Sequence, residues 1–335
     1  MKYLKIKVSR TEEVKIPYIV FEGERDKKKK SSHKTLVIMG GVHGNELNGI
    51  ALVKRLLGYC EKEKIEKKLK GRLIVIPLVN VKGFEKRTRT NPLDHKDINR
   101  SYNQKINCPS TKIANALWKA FYAKADMVID CHDAGEQNIL LPHTRIHPQQ
   151  DKGCTSCTRG MAMAFGSKIV IERKGKKGML AVELSKVKKR PVLTIEIGGA
   201  LKIADKFLKD GLKGIINILK HYDFLKGDAK LPRKQYYLKD RFGISATNTG
   251  ILKMEKKLGQ RVHKGDKIGE IYVPTKNKTV DIISPMCGII FSLQYVDAAS
   301  KGEIIYSILE DKKCHVRRRT VGMVEEVKNV VNIQM

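Results

Sequence analysis

The chain's 335 residues are 41% hydrophobic, enough for one large domain and a smaller one, and no apolar run approaches the roughly 18–20 residues that would cross a bilayer. Seven scattered cysteines, an odd number, argue against a disulfide framework and for reduced thiols. The N-terminal stretch MKYLKIKVSRTEEVKI has no signal-peptide core, so a cytoplasmic protein is expected. The formal net charge of +32 is spread over runs at 27–30, 62–70, 174–177, 186–190 and 317–319, with only 6% aromatic residues; without interleaved aromatics this reads as a solvated basic surface rather than a nucleic-acid site, and it suits small anionic substrates.

In chain order, the first buried-looking strand is 35–39 (TLVIM), which runs into GGVHGNE at residues 40–46. His43 and Glu46 stand two residues apart at this strand-to-helix junction. An imidazole and a carboxylate brought to one point suit zinc, whose hydrolytic sites use three protein ligands. Alone, such a glycine-rich turn could equally cradle a phosphate. A helix is expected over 46–57, with Leu47, Ile50, Ala51, Val53 and Leu57 near one face.

A second strand falls at 72–79 (RLIVIPLV). The polar stretch 85–103 that follows reads as a loop. Within it, Arg100 beside Asn99 can offer a bidentate fork to a carboxylate, and Arg87 or Arg89 can stabilise an oxyanion. A helix is expected over 110–124 with Ser110 as its N-cap, then a third strand at 126–131, directly followed by His132 in IDCHDAG. Ligands in open α/β sheets gather beyond the carboxyl ends of the strands, which is where His132 joins His43 and Glu46. Asp130 and Asp133 are candidates to orient the imidazoles.

The stretch 140–160 carries His143, Arg145, His147 and the pair Cys154 and Cys157. A lone CxxC is half of a four-thiolate zinc site, so ordinary thiols are expected there, with a redox pair or an accessory metal site as the alternatives. The fourth strand, 192–197 (VLTIEI), carries Glu196 inside an apolar run. A carboxylate so placed needs a partner, and one facing a zinc-activated water is a good base. A helix over 202–221 follows. Strands alternating with helices predict an α/β fold, a three-layer α/β/α hydrolase domain with a mixed central sheet, over residues 1–228. Beyond a linker at 222–235, glycine-punctuated short strands at 268–273, 279–283, 288–293 and 303–309 predict a small β-barrel or sandwich over 229–335.

Taken in order, GGVHGNE, KDINR, IDCHDAG and TIEIGG resemble the succinylglutamate desuccinylase/aspartoacylase family of carboxypeptidase A-like zinc hydrolases. The resemblance implies one Zn2+ per chain held by His43, Glu46 and His132, with Glu196 as general base. It also implies that Asn99 and Arg100 hold the substrate's α-carboxylate and that an upstream arginine, Arg89 or Arg87, serves the oxyanion. The C-terminal stretch resembles biotinyl and lipoyl carriers, but has no modifiable lysine between methionines. Asp133 stands where family members often carry threonine or serine, and the 140–160 stretch is expected to shape the acyl pocket. The implied activity is cleavage of the amide bond of a small anionic N-acyl amino acid. The alternatives are a zinc carboxypeptidase acting on short peptides and, from a different class, a basic nucleic-acid-binding protein. No membrane partner is expected; homo-oligomerisation is left open.

Overall fold

The computed structural model describes residues 1–23, 34–148, 151–231, 234–239 and 241–310. The basic runs at 27–30 and 317–319 and Pro232 lie outside them. The elements are β1 (Lys2–Lys7), β2 (Glu13–Glu22), β3 (Thr35–Gly40), α1 (Leu47–Lys62), β4 (Arg72–Ile76), α2 (Val81–Lys86), α3 (Pro109–Ala120), β5 (Met127–His132), β6 (Asn138–Ile146), α4 (Lys152–Phe165), β7 (Ile169–Glu172), α5 (Leu180–Lys188), β8 (Val192–Gly199) and α6 (Asp205–His221). They continue with β9 (Tyr236–Leu238), β10 (Phe242–Ser245), β11 (Gly250–Met254), β12 (Arg261–Val262), β13 (Lys267–Val273), β14 (Lys278–Ile283), β15 (Gly288–Gln294), β16 (Ala298–Ala299) and β17 (Ile304–Glu310).

Two units emerge: Met1–Glu136 with Pro142–Lys239, and Gln137–Leu141 with the described residues 241–310. The start of β6 falls with the second unit.

In the first unit β3 lies parallel between β4 and β5, β5 is parallel to β8, and β1 and β2 extend the sheet antiparallel beyond β4. Strands buried on both faces read as continuous apolar runs, and TLVIMG of β3 is buried at every position. Its side chains split between two cores. Leu36 and Ile38 pack with Leu52 and Leu56 of α1, Phe165 of α4 and Ile215 and Ile218 of α6. Val37 and Met39 pack on the other side with Ile113 and Leu117 of α3 and Leu180 and Leu184 of α5. The expected mixed-sheet, three-layer α/β/α arrangement is therefore what forms.

The differences are local. Pro77 cannot donate to a ladder, and β4 stops at Ile76. The third helix begins at Pro109 with Cys108 as its N-cap. Ser110 lies inside it: its amide and hydroxyl both donate to Asp94, which caps the helix from the preceding loop. That helix ends at Ala120 and gives way to a 3-10 turn over Tyr122–Lys124.

The second unit is β throughout its described residues apart from one 3-10 turn. β14, β13, β11 and β16 form one sheet; β10, β17 and β15 pair in another, with Leu140 opposite Ser292. Val262, Ile268, Ile271, Ile290, Tyr306 and Ile308 fill its interior.

Candidate metal centre and its surroundings

The chain leaves β3 through Gly41, in a left-handed conformation (φ +65°), and passes His43 before α1 begins. Gly44 touches α2 so closely that a Cβ there would sit 2.0 Å from the Gly83 carbonyl carbon. Glu46 is the N-cap of α1. One turn on, Gly49 lays the helix directly on the end of β5, where a Cβ would come 2.4 Å from the Cys131 carbonyl oxygen. That contact brings the start of α1 against His132. Gly49→Ala is expected to cost about 1–3 kcal/mol, because the obstructing atoms are backbone, and to weaken metal binding; unchanged melting together with unchanged metal affinity would contradict this packing role.

His43, Glu46 and His132 are each at least 95% buried, and their donor atoms lie within 4.8 Å of one another. His43 Nδ1 donates to Glu46 Oε1 at 2.7 Å, and His132 Nδ1 donates to Glu46 Oε2 at 2.7 Å. Each outer ring nitrogen meets a carboxylate too: His43 Nε2 with Asp97 Oδ1 at 3.1 Å, His132 Nε2 with Asp130 Oδ2 at 2.8 Å. Carboxylates at both nitrogens favour the doubly protonated ring, and a cation bound at Nδ1 would take the place of the proton there. Burial alone would push His43 down, but the Glu46 charge and the bonds to Asp97 and Glu46 outweigh it and raise it. For His132, burial is likewise overcome by Asp130 and Glu46, which hold the ring well above its ordinary value. Burial opposes ionisation of Glu46 as well, yet the charges of His43 and His132 keep it well below the carboxylate range.

Two Nδ1 atoms and a carboxylate converging on one point, each imidazole oriented from behind by a second carboxylate, are a donor set that fits a divalent cation such as zinc. Because such a cation must displace the Nδ1 protons, its affinity is expected to fall as pH drops below the raised histidine values, by roughly ten- to a hundredfold per unit for one or two protons. Metal titrations at pH 6 and pH 8 that gave equal affinities would contradict this.

Asp97 lies in KDINR, and the sequence alone gives it no role. It does two things. Oδ1 accepts the Asn99 amide at 2.7 Å, capping the 3-10 turn Ile98–Arg100, and also faces His43. Burial is outweighed by His43, Arg89 and Arg100, which hold Asp97 well below its usual range. Its position two residues before Asn99 was the available signal, since short acids cap such turns. Replacing Asp97 or Asp130 by Asn is expected to weaken metal binding about 10- to 100-fold, checked by competition with a chromogenic chelator; affinity within twofold would contradict their orienting role.

Asp133 does not face an imidazole through its side chain. It accepts instead from the Asn48 amide (2.8 Å), Asn48 Nδ2 (3.0 Å) and the Gly135 amide (2.7 Å), tying α1 to the loop after β5. Burial, then the Glu46 charge, pushes it up to about 7.

Of the two candidate arginines, Arg89 reaches the cluster, with Nη1 2.9 Å from Glu46 Oε1 and Nη2 3.4 Å from Asp97 Oδ2. Arg87 is exposed, is the left-handed C-cap of α2, and has no contact with the cluster among the described interactions. Arg100 Nη1 donates to the Asn99 carbonyl at 2.6 Å and lies 3.8 Å from Asp97 Oδ2. Asn99 is buried, and its Oδ1 accepts the Leu180 amide at 3.0 Å, at the start of α5.

Glu196 on β8 is the register partner of His132 on β5, so the two side chains leave neighbouring strands on the same face. Glu196 is 6% exposed, and Arg145 on β6 pairs with it at 3.0 Å. Arg145 thus belongs to this site, whereas Cys154 and Cys157 from the same stretch lie on α4, one buried and one exposed, as free thiols.

Residues 32–222 match the succinylglutamate desuccinylase/aspartoacylase catalytic domain. The N-alpha-acetyl-L-2,4-diaminobutyric acid deacetylase of Halomonas elongata is 25% identical over 291 residues, 84% of each chain. Among solved structures, a succinylglutamate desuccinylase/aspartoacylase from Rhodobacter sphaeroides matches with a TM-score of 0.78 at 23% identity, over 92% of this chain and 95% of that one. The product-bound ectoine utilization protein EutE from Ruegeria pomeroyi matches with a TM-score of 0.79 at 22% identity, over 92% and 94%. No helix among the described residues is long and apolar enough to cross a membrane.

Proposed function

The chain belongs to the succinylglutamate desuccinylase/aspartoacylase family, and from that premise we propose that it is a zinc-dependent hydrolase that cleaves the amide bond of a small N-acyl amino acid. One observation carries the reading: the buried donors of His43, Glu46 and His132 meet at one point, and Glu196 stands beside His132 on the next strand. A Zn2+ ion, one per chain, would be held by the two Nδ1 atoms and the Glu46 carboxylate and would supply Lewis acidity toward a carbonyl oxygen and a water.

The chain's own residues do the rest. Glu196 takes a proton from the attacking water as its oxygen bonds to the acyl carbon. Arg89 offers N–H donors to the oxygen that becomes negative. Glu196 then returns the proton to the amide nitrogen as the C–N bond breaks, leaving a carboxylic acid and a free amine. The Arg100 guanidinium and the Asn99 amide hold the α-carboxylate of the amino acid. The described cysteines are free thiols, which suits a reducing compartment such as the cytoplasm.

The test is turnover of N-acetyl and N-succinyl amino acids beside short peptides by zinc-loaded protein. Release of free amino acid from the acylated set is expected; cleavage of peptides alone would replace this reading by a carboxypeptidase.

A further inference from the structure

Glu196 is a buried carboxylate with a flexible three-torsion side chain, and something must fix where its oxygens point. Arg145 and His143 stand two residues apart on β6, on one side of the strand. Arg145 Nη1 lies 3.0 Å from Glu196 Oε1, and Arg145 Nε donates to His143 Nε2 at 3.1 Å. His143 is fully buried, while the Arg145 side chain is 31% exposed. To accept from Arg145, the His143 ring must be neutral at Nε2, with its hydrogen on Nδ1.

We propose that Arg145, braced by His143, is a positioning residue of the reaction: it holds Glu196 through Oε1 and leaves Oε2 for the water beside His132. This rests on the reading of Glu196 as the group that takes the water's proton. Guanidinium is suited to the task because its planar fork meets two acceptors at once in fixed directions, which an ammonium cannot do. The two contacts, made by Nε and Nη1 of one planar group, set the plane of the guanidinium, and that plane sets the carboxylate. The chain His143–Arg145–Glu196 therefore orients the base from its own side of the sheet, as Asp97 and Asp130 orient the histidines from theirs.

The experiment uses the full-length zinc-loaded protein. With the best N-acyl amino acid, Arg145→Gln is expected to lower kcat roughly 30-fold, as misplacement of a reacting group does, with KM within twofold and zinc content unchanged. Arg145→Lys should recover only a small part of that loss, and His143→Gln should cost less than Arg145→Gln. A second readout needs no turnover: the Tm losses of Arg145→Ala, Glu196→Ala and the double variant. A formed pair makes the double loss smaller than the sum of the single losses by about 2 °C or more. Additive Tm losses would overturn the pairing. A raised KM with unchanged kcat would overturn the positioning role and make Arg145 a substrate-binding group. If no acylated amino acid is turned over by the unaltered protein, the substrate reading fails, while the Tm cycle still decides whether Arg145 holds Glu196.

Discussion

Glu196→Gln is expected to lower kcat by about 10³-fold, within the range that a positioned general base contributes. Gln keeps the shape and a carbonyl oxygen for Arg145 Nη1, now at 3.0 Å from Oε1, but cannot take a proton. Glu196 is not one of the three converging donors, so zinc content should stay at one per chain and KM should move little. Glu196→Asp separates charge from position: it keeps the carboxylate and draws it back by one methylene, so intermediate activity is expected. Steady-state kinetics beside elemental analysis check this. Loss of zinc with Gln, or activity within threefold of the unaltered protein, would remove Glu196 from the role of base.

The second large effect is on the metal. A chelator is expected to abolish turnover and lower Tm by on the order of 10 °C. A ligand present at about 1,000 times its Kd adds about 4 kcal/mol, and one kcal/mol is worth roughly 2–4 °C in a domain of 150–250 residues. The sign follows from the geometry. Without a cation, Glu46 is stabilised by protons on His43 and His132; a divalent ion replaces them in the folded chain and has no such site in the unfolded one. His132→Ala goes further, because it removes a donor and leaves the buried Asp130 and Glu46 carboxylates without the ring between them. Turnover should not return with excess zinc. A chelator-treated protein with full activity and unchanged Tm would contradict both statements.

What sequence made legible follows from what burial demands. TLVIM, RLIVI, MVIDC and VLTIEI are readable as strands because a sheet covered on both faces selects mainly apolar side chains for its interior. Polar residues at the ends of such runs, His43, His132 and Glu196, then have few explanations other than chemistry. α4 was hidden for a different reason: KGCTSCTRGMAMAF buries Cys154, Thr155, Thr158, Met161, Ala162, Ala164 and Phe165, mostly small residues rather than a leucine stripe, and it depends on Asp151 as a cap. β6 carries Pro142 and a mixed pattern, so neither its strand nor the meeting of Arg145 with Glu196 could be read before β8 was placed beside it. Asp94, which caps α3 from the loop, and Asp133, which binds Asn48 rather than an imidazole, were likewise decided by tertiary partners.

The site as a whole stands on one geometric statement, that two Nδ1 atoms and the Glu46 carboxylate bind a single cation. Anomalous diffraction at the zinc edge, from crystals of the protein grown with zinc, tests it most directly. The expected result is one strong peak per chain, about 2.0–2.2 Å from His43 Nδ1, His132 Nδ1 and a Glu46 oxygen, with Glu196 within reach of a water on its open side. A peak placed elsewhere, at Cys154 and Cys157 for example, or none between the two histidines, would contradict it.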